Sequence, residues 1–177
     1  MKDKLTDAEL LVLGLVAEMP RHGYQLEQVI ERRGMREWTR IGFSSIYFVL
    51  GKLEGMGLVA AKKPAGAKAR KIFSMTNVGR SVLTAQSLAA LSKIRPTYSS
   101  VLLGMAHWPT LERSDALRAL EQRAHAIEVE LTRLENTLTD QQPLPDFVES
   151  LFDFSLSQLK AEAGWIERTL VSMKQKP

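Results

Sequence analysis

The hydrophobic period of the chain changes between residues 43 and 75, and this change limits the folds that the chain can adopt. The first part of this stretch carries apolar residues at helical spacing on one side, which are Ile46, Val49, Leu50 and Leu53. The second part holds two short β-prone runs, 58–63 and 70–75, separated by a segment with proline and glycine. The sequence therefore predicts a helix that leads directly into a two-stranded hairpin.

Two more helices are predicted before this one. Thr6 and Glu9 have the spacing of a capping box and open the first helix, which Pro20 ends. The second helix starts at His22-Gly23-Tyr24 and ends near Gly34. Three helices followed by a two-stranded wing form the order of a winged helix-turn-helix, in which the third helix enters the DNA major groove. With one further helix after Thr76, this predicts a first domain over residues 1–92 in a mainly α fold.

Basic charge is concentrated in the first part of the chain. Residues 1–80 contain 14 Lys and Arg against 8 Asp and Glu, whereas residues 81–177 contain 10 against 12. Over residues 40–80 the only acidic residue is Glu54, and the basic ones are Arg40, Lys52, Lys62, Lys63, Lys68, Arg70, Lys71 and Arg80. A surface with such one-sided charge predicts a polyanionic partner.

The outer side of the third predicted helix carries side chains that can contact DNA. Ser44, Ser45 and Tyr47 lie near its N-terminus, where they can donate to phosphates or base edges, and Lys52 can reach a phosphate. A plainer interpretation makes Tyr47 and Phe48 half-buried packing residues and the hairpin lysines a solvated turn. The presence of both features on one winged-helix layout favours DNA binding.

These segments resemble the PadR-like family of transcriptional regulators. The matching stretches are LTDAELLVLGLV at 5–16, HGYQL at 22–26, Trp38, SSIYFVLGKLEGMGLV at 44–59 and RKIFSMTNVGR at 70–80. The resemblance implies a homodimeric repressor that binds double-stranded DNA at an inverted-repeat operator. It also implies two sets of contacts, with Ser44, Ser45, Tyr47 and Lys52 on the recognition helix and Lys62, Lys63, Lys68 and Arg70 on the wing.

The second half of the chain, residues 93–177, carries two long helical seams in which spacings of three and four alternate. The first consists of Leu117, Leu120, Ala124, Ile127, Leu131, Leu134 and Leu138, and the second of Phe152, Leu156, Leu159, Ala163, Ile166, Leu170 and Met173. The seams can close on each other as a hairpin within one chain, or they can form a dimer. Apolar residues off the seams, which are Val129, Phe147, Leu151, Phe154 and Trp165, favour a dimer, and the resemblance implies dimerisation through these helices.

Four residues of the second half are candidates for an effector pocket: Tyr98, Met105, Trp108 and Trp165. Core packing explains each of them at least as simply. The resemblance implies that a small hydrophobic or aromatic effector can meet aromatic side chains in this region.

Other classes of function are weakly supported by the sequence. The chain has no cysteine, its three histidines are scattered, and it has no glycine-rich phosphate loop, so we expect no metal site, no cofactor and no enzymatic activity. No apolar run is long enough to span a membrane, and the absence of cysteine fits the cytoplasm. The alternative to a DNA-binding regulator is a protein-interaction module that uses the winged-helix scaffold and the coiled coil without contacting DNA.

Overall fold

Two short strands interrupt a chain that is otherwise helical. The computed structural model describes residues 4–37, 39–62, 70–94, 96 and 98–175. In these residues the α-helices are α1 (Asp7–Glu18), α2 (Gly23–Arg32), α3 (Phe43–Gly55), α4 (Asn77–Ser92), α5 (Ser100–Ala106), α6 (Arg113–Asp140) and α7 (Asp146–Gln175), and the strands are β1 (Val59–Lys62) and β2 (Ile72–Met75). The chain divides after Pro96 into two compact units, and each is described by itself. The predicted mainly α fold with a two-stranded wing is confirmed.

Helix α1 lies at the centre of the N-terminal unit. Its capping box is formed as predicted, because Thr6 Oγ1 accepts from the Glu9 N–H at 3.3 Å while Glu9 Oε2 accepts from the Thr6 N–H at 2.9 Å. Apolar residues on most sides of α1 are buried, namely Val12, Leu13, Leu15 and Val16. A helix buried on most sides must have neighbours on most sides, and α3, α4 and β2 all pack against it.

Helices α2 and α3 are joined by a segment that Arg36 holds in place. The Arg36 guanidinium pairs with Glu27 and Glu31 of α2. Its Nε also donates to the Ile41 carbonyl at 3.1 Å, just before α3 begins. One arginine therefore ties the end of the connecting segment back to the preceding helix.

The wing is an antiparallel hairpin in which Val59 pairs with Met75 and Lys62 with Ile72. Arg21 adds an isolated bridge to Phe73, with backbone hydrogen bonds of 3.1 and 2.9 Å in the two directions. The Arg21 side chain is buried, pairs with Glu18 at 2.9 Å and donates to the Leu15 carbonyl. The segment between α1 and α2 thus anchors the wing to the helices.

Helix α4 begins in close contact with the start of the wing. Thr76 caps the helix, because its hydroxyl accepts from the Gly79 N–H at 2.9 Å while its backbone N–H donates to the Leu58 carbonyl at 3.2 Å. Val82 is buried, whereas Leu88 and Leu91, farther along the helix, are exposed. The first turns of α4 therefore make its contacts with the core of the N-terminal unit.

The C-terminal unit is built on α6 and α7, which form an antiparallel helical hairpin. Its buried centre consists of Leu120, Ile127 and Ile166. Ion pairs connect the two helices at its edges, with Arg123 Nε 2.5 Å from Glu162 Oε1 and Lys174 Nζ 2.8 Å from Glu121 Oε1. No helix among the described residues is long and apolar enough to cross a membrane.

The contact between α4 and the wing predicts a position that tolerates only glycine. A Cβ added at Gly79 would lie 2.0 Å from the Leu58 carbonyl oxygen, a backbone atom, whereas one added at Gly14 in α1 would meet only Leu83 Cδ1 at 4.0 Å. We expect Gly79→Ala to lower the free energy of unfolding by at least about 1–3 kcal/mol, because the backbone must move apart. The matched Gly14→Ala should raise it by about 0.5–1 kcal/mol, because alanine favours a helix interior. Urea denaturation measures both, and a loss in both variants would contradict this account.

Candidate nucleic-acid interface

Helix α3 has one buried side and one exposed side. The predicted core residues Ile46, Val49, Leu50 and Leu53 are all buried, which confirms that interpretation of the helix. On the other side Ser44, Phe48 and Gly51 follow one another at helical spacing and are exposed, and Ser45 is exposed beside them. The packing of one side thus leaves the opposite side of α3 open to a partner.

The N-terminus of α3 has no side-chain cap among the described atoms. Gly42 is the N-cap residue, and no described side chain accepts a hydrogen bond there. Backbone N–H groups at a helix N-terminus attract an anion when no side chain satisfies them, and the helix dipole adds to this attraction. Ser44 and Ser45, in the first turn, add hydroxyl donors beside these amides.

Tyr47 leans from α3 toward the first turn of α2. A Cβ added at Gly23 would lie 2.6 Å from Tyr47 Cε1 and 2.9 Å from its Cζ, so the tyrosine ring covers this glycine. The side chain is nevertheless 50% exposed. Tyr47 is therefore partly a packing residue, and it still presents half of its surface to solvent as a DNA contact would require.

An aromatic and basic cluster at the start of α2 was not anticipated from sequence. His22 and Tyr24 stack with ring centroids 6.3 Å apart, and Arg70 lies 5.0 Å above the centre of the Tyr24 ring. Arg70, predicted as a wing contact, is thus held against α2 by a cation–π interaction. The signal was present in the motif HGY at 22–24, which the sequence analysis used as a helix start and as part of the family resemblance.

Lys52 makes a contact that differs from the predicted one. Its Nζ lies 2.6 Å from Glu9 Oε1, and the Glu9 side chain is 5% exposed. Burial by itself would raise the pKa of Glu9, but the hydrogen bonds from Lys52 and from the Thr6 backbone outweigh it and hold that pKa below its ordinary value. The ammonium of Lys52 therefore joins α3 to the start of α1, and its role as a phosphate contact stays a prediction.

The predicted wing contacts are partly placed by the structure. Lys62 is exposed at the end of β1, and Lys71 is exposed with its Nζ 3.4 Å from Glu54 Oε2. Lys63 and Lys68 lie outside the described residues. The described part of the wing thus presents Lys62, Arg70 and Lys71 near its open end.

In the C-terminal unit, the structure pairs the two seams within one chain. Leu120, Ile127, Leu156 and Ile166 are buried, and the partly buried members are Leu117, Leu131, Leu134, Leu138, Phe152, Leu159 and Leu170. The off-seam residues behave differently, since Val129, Phe147, Leu151 and Phe154 are exposed. Trp165 instead packs against the hairpin centre. The sequence left open whether the seams pair within one chain or between two chains, and here they pair between α6 and α7 of one chain. The role of the seam residues in a dimer stays a prediction.

The four candidate effector residues do not gather into one pocket in the described part of the C-terminal unit. Trp108 lines a cleft of about 400 Å³ with Arg113, Arg168, Thr169, Ser172 and Met173. Tyr98 and Met105 are exposed, and neither lines this cleft. Of the predicted set, Trp108 is thus the residue that lines this cleft. Among the described residues, no cluster of His, Asp or Glu could hold a metal ion.

The pair of Lys52 and Glu9 predicts a pH-dependent contribution to stability. Because the pKa of Glu9 is lower in the folded protein than its ordinary value of 4.5, the pair stabilises the fold above about pH 4.5 and this contribution is lost as pH falls through the lowered pKa. We expect Lys52→Met to lower the free energy of unfolding at pH 7 by about 1–3 kcal/mol, because the buried carboxylate loses its partner. The variant should also lose less stability between pH 6 and pH 3.5 than the wild type.

Urea denaturation at several pH values tests this expectation. The matched control is Lys71→Met, which removes the exposed pair with Glu54 and should cost less than about 1 kcal/mol. Equal losses in the two variants, or an unchanged pH dependence in Lys52→Met, would show that the pair with Glu9 does not support the fold.

Part of the N-terminal unit matches a known family of proteins. The sequence model of the family described as "Transcriptional regulator PadR-like family" matches residues 12–85. A curated relative, the uncharacterized 37.1 kDa protein in transposon TN4556 of Streptomyces fradiae, is 34% identical over 118 residues, which is 66% of this chain. The chain spans about a third (32%) of the length of that relative.

Solved structures share the fold over nearly the whole chain. Bacillus subtilis PadR in complex with operator DNA is similar with a TM-score of 0.73 and 20% identity, covering 93% of this chain and 98% of that chain. Bacillus subtilis PadR in complex with p-coumaric acid is similar with a TM-score of 0.75 and 20% identity, covering 94% and 98%. At this identity the likeness shows the fold alone. Residues 12–85 are thus similar to the PadR-like family of transcriptional regulators.

Proposed function

We propose that the protein is a DNA-binding transcriptional regulator that acts as a homodimeric repressor on an inverted-repeat operator. The observation that carries this proposal is the free side of α3, where Ser44, Phe48 and Gly51 are exposed next to an uncapped N-terminus in the described residues. A helix with one side fully used in the core and the other open fits the major groove. We assign this role to a first domain over residues 1–92, and such a regulator acts in the cytoplasm, where a bacterial chromosome lies.

The charge around α3 supports the same proposal. Lys62 and Arg70 are exposed on the described part of the wing, at the side that follows a DNA backbone in a winged helix. Lys52 contributes less to the positive potential around α3 than its position suggests, because its ammonium is paired with the Glu9 carboxylate. Phosphate contacts of this kind supply affinity without sequence information, so base reading falls to the exposed side of α3.

The dimer surface that we propose lies off the seams. Phe147, Leu151 and Phe154 are spaced by four and three residues on one side of α7, and all three are exposed. Three large apolar side chains in a row are unusual on a solvated helix, and a second copy of residues 93–177 would cover them. A two-fold dimer would then present two α3 helices to two half-sites, as an inverted repeat requires.

We further propose that a small aromatic or hydrophobic effector regulates the protein. The cleft beside Trp108 supports this proposal, because it combines an indole ring with the guanidinium groups of Arg113 and Arg168. Arg113 already donates to the Met173 carbonyl, so Arg168 is the cation that we assign to the ligand. Complex formation with operator DNA in the presence of candidate aromatic acids, compared between wild type and Trp108→Ala, tests this assignment.

Salt dependence provides the first test of DNA binding. If a dimer neutralises about 6 to 10 phosphates, log K should fall with log salt at a slope of about −5 to −9. Gel-shift titration with DNA upstream of the protein's own gene measures the slope and locates an operator. Replacing Lys62 and Arg70 together by Ala should make the slope shallower by about 0.9 for each phosphate that the variant no longer neutralises.

The control for this titration is Lys160→Ala, which removes a lysine paired with Glu135 in the C-terminal unit and should leave the slope unchanged. Absence of salt-dependent binding would exclude DNA as the partner. That result would favour the alternative, in which the winged-helix scaffold only binds other proteins.

The off-seam surface predicts how the dimer can be broken. We expect the double variant Phe147→Ser and Phe154→Ser to sediment as a monomer that keeps the helical circular dichroism of the wild type, since both side chains are exposed within one chain. The matched control is Leu156→Ala, which should cost about 2–5 kcal/mol because Leu156 is buried on the seam. A double variant that remains dimeric would place the interface elsewhere.

A further inference from the structure

Phe48 lies in the middle of the exposed side of α3. It is 74% exposed, while the buried residues of the same helix face away from it. Ser44 lies four residues before it and Gly51 three residues after it, so all three share one side of the helix. A single exposed apolar side chain is common on proteins, and exposure alone assigns Phe48 no role.

Two glycines, Gly51 and Gly55, lie on the same side of α3 as Phe48 and add no side chain to it. A Cβ added at Gly51 or at Gly55 would meet no other atom within 4 Å, so packing requires neither glycine. Gly51, in the interior of α3, makes the helix less stable than alanine would by about 1 kcal/mol, whereas Gly55 is the last residue of the helix. Phe48 is therefore the large side chain in the row formed by Ser44, Phe48, Gly51 and Gly55, which Tyr47 and Lys52 flank.

We propose that Phe48 is a specificity-determining residue that contacts the C5 methyl group of a thymine in the major groove. This inference rests on the proposed function and names which side chain of α3 reads a base. Phenylalanine has no donor or acceptor, and the thymine methyl is the apolar group that base pairs present in the major groove. The bare backbone at Gly51 and Gly55 allows the second half of α3 to approach the DNA closely.

Tyr47 is less suited to this contact than Phe48. Its ring covers Gly23 at the start of α2, and its exposed fraction is 50% against 74% for Phe48. Moving the Tyr47 ring into a groove would break its contact with Gly23, whereas Phe48 can contact DNA without a change in the packing of α3. The aromatic pair thus divides into a residue that supports α3 and a residue that reads the DNA.

A thermodynamic cycle between the protein and the DNA tests the proposal. The full-length protein first selects its preferred duplex from a random-sequence pool, and each thymine of that duplex is then replaced in turn by deoxyuridine, which lacks only the C5 methyl group. At one thymine in each half-site, we expect this change to weaken wild-type binding roughly four-fold, the effect of one buried methyl group. Phe48→Ala should bind the unmodified duplex at least as weakly as the wild type binds the deoxyuridine duplex. The same replacement should not weaken the binding of Phe48→Ala any further.

Three further variants sharpen this experiment. Phe48→Leu keeps an apolar side chain and should retain part of the sensitivity to the methyl group. Met19→Ala removes another exposed apolar side chain, at the end of α1, and should retain all of it. Gly51→Leu should weaken binding to the selected duplex without lowering the melting temperature, since the added side chain has open space in the free protein.

The possible results separate this inference from the proposed function. If the wild type selects no sequence, the proposed function fails and the inference fails with it. If the wild type selects a duplex but Phe48→Ala remains as sensitive to every methyl group as the wild type, the inference alone is overturned. A lower melting temperature of Phe48→Ala, or a changed sedimentation coefficient, would overturn it too, by assigning Phe48 to the core or to a contact between two copies.

Discussion

The burial of one side of α3 against α1 is the constraint on which the N-terminal unit depends. Ile46, Leu50 and Leu53 are completely buried, so rotation of α3 about its axis would expose large apolar side chains to water. The ion pair between Lys52 and Glu9 holds the same helix at the edge of this contact. Orientation of the outer side is thus a consequence of core packing, and a helix held this way can present a rigid surface to DNA.

The position of the wing is fixed by its contacts with the helices of the N-terminal unit. Arg21 bridges Phe73 through its backbone, while its buried guanidinium is satisfied by Glu18 and the Leu15 carbonyl of α1. Thr76 and Gly79 join the other end of the hairpin to α4. The strands are short, and hydrogen bonds and close backbone contacts at both ends compensate for the small apolar area that such strands can bury.

The C-terminal unit shows why a seam pattern does not identify its partner. Two helices with apolar residues at alternating spacings of three and four can pack against each other equally well within one chain or between two chains. In this structure Leu120, Ile127 and Ile166 meet inside one chain. Phe147 and Phe154 on α7 are exposed, and they belong to the apolar surface that the contact between α6 and α7 does not cover. The sequence identified both sets of residues but left open whether the seams pair within one chain or between two chains.

The sequence by itself determined the order of helices and strands, the capping box of Thr6 and Glu9, and the buried side of α3. Each of these depends on residues at most a few positions apart, whose spacing is visible in the chain. Only the tertiary structure decided that Lys52 meets Glu9, that Tyr47 covers Gly23, and that Arg70 lies over Tyr24. These contacts join segments far apart in the sequence, and hydrophobic periodicity gives the side that a residue faces but not the residue that it meets.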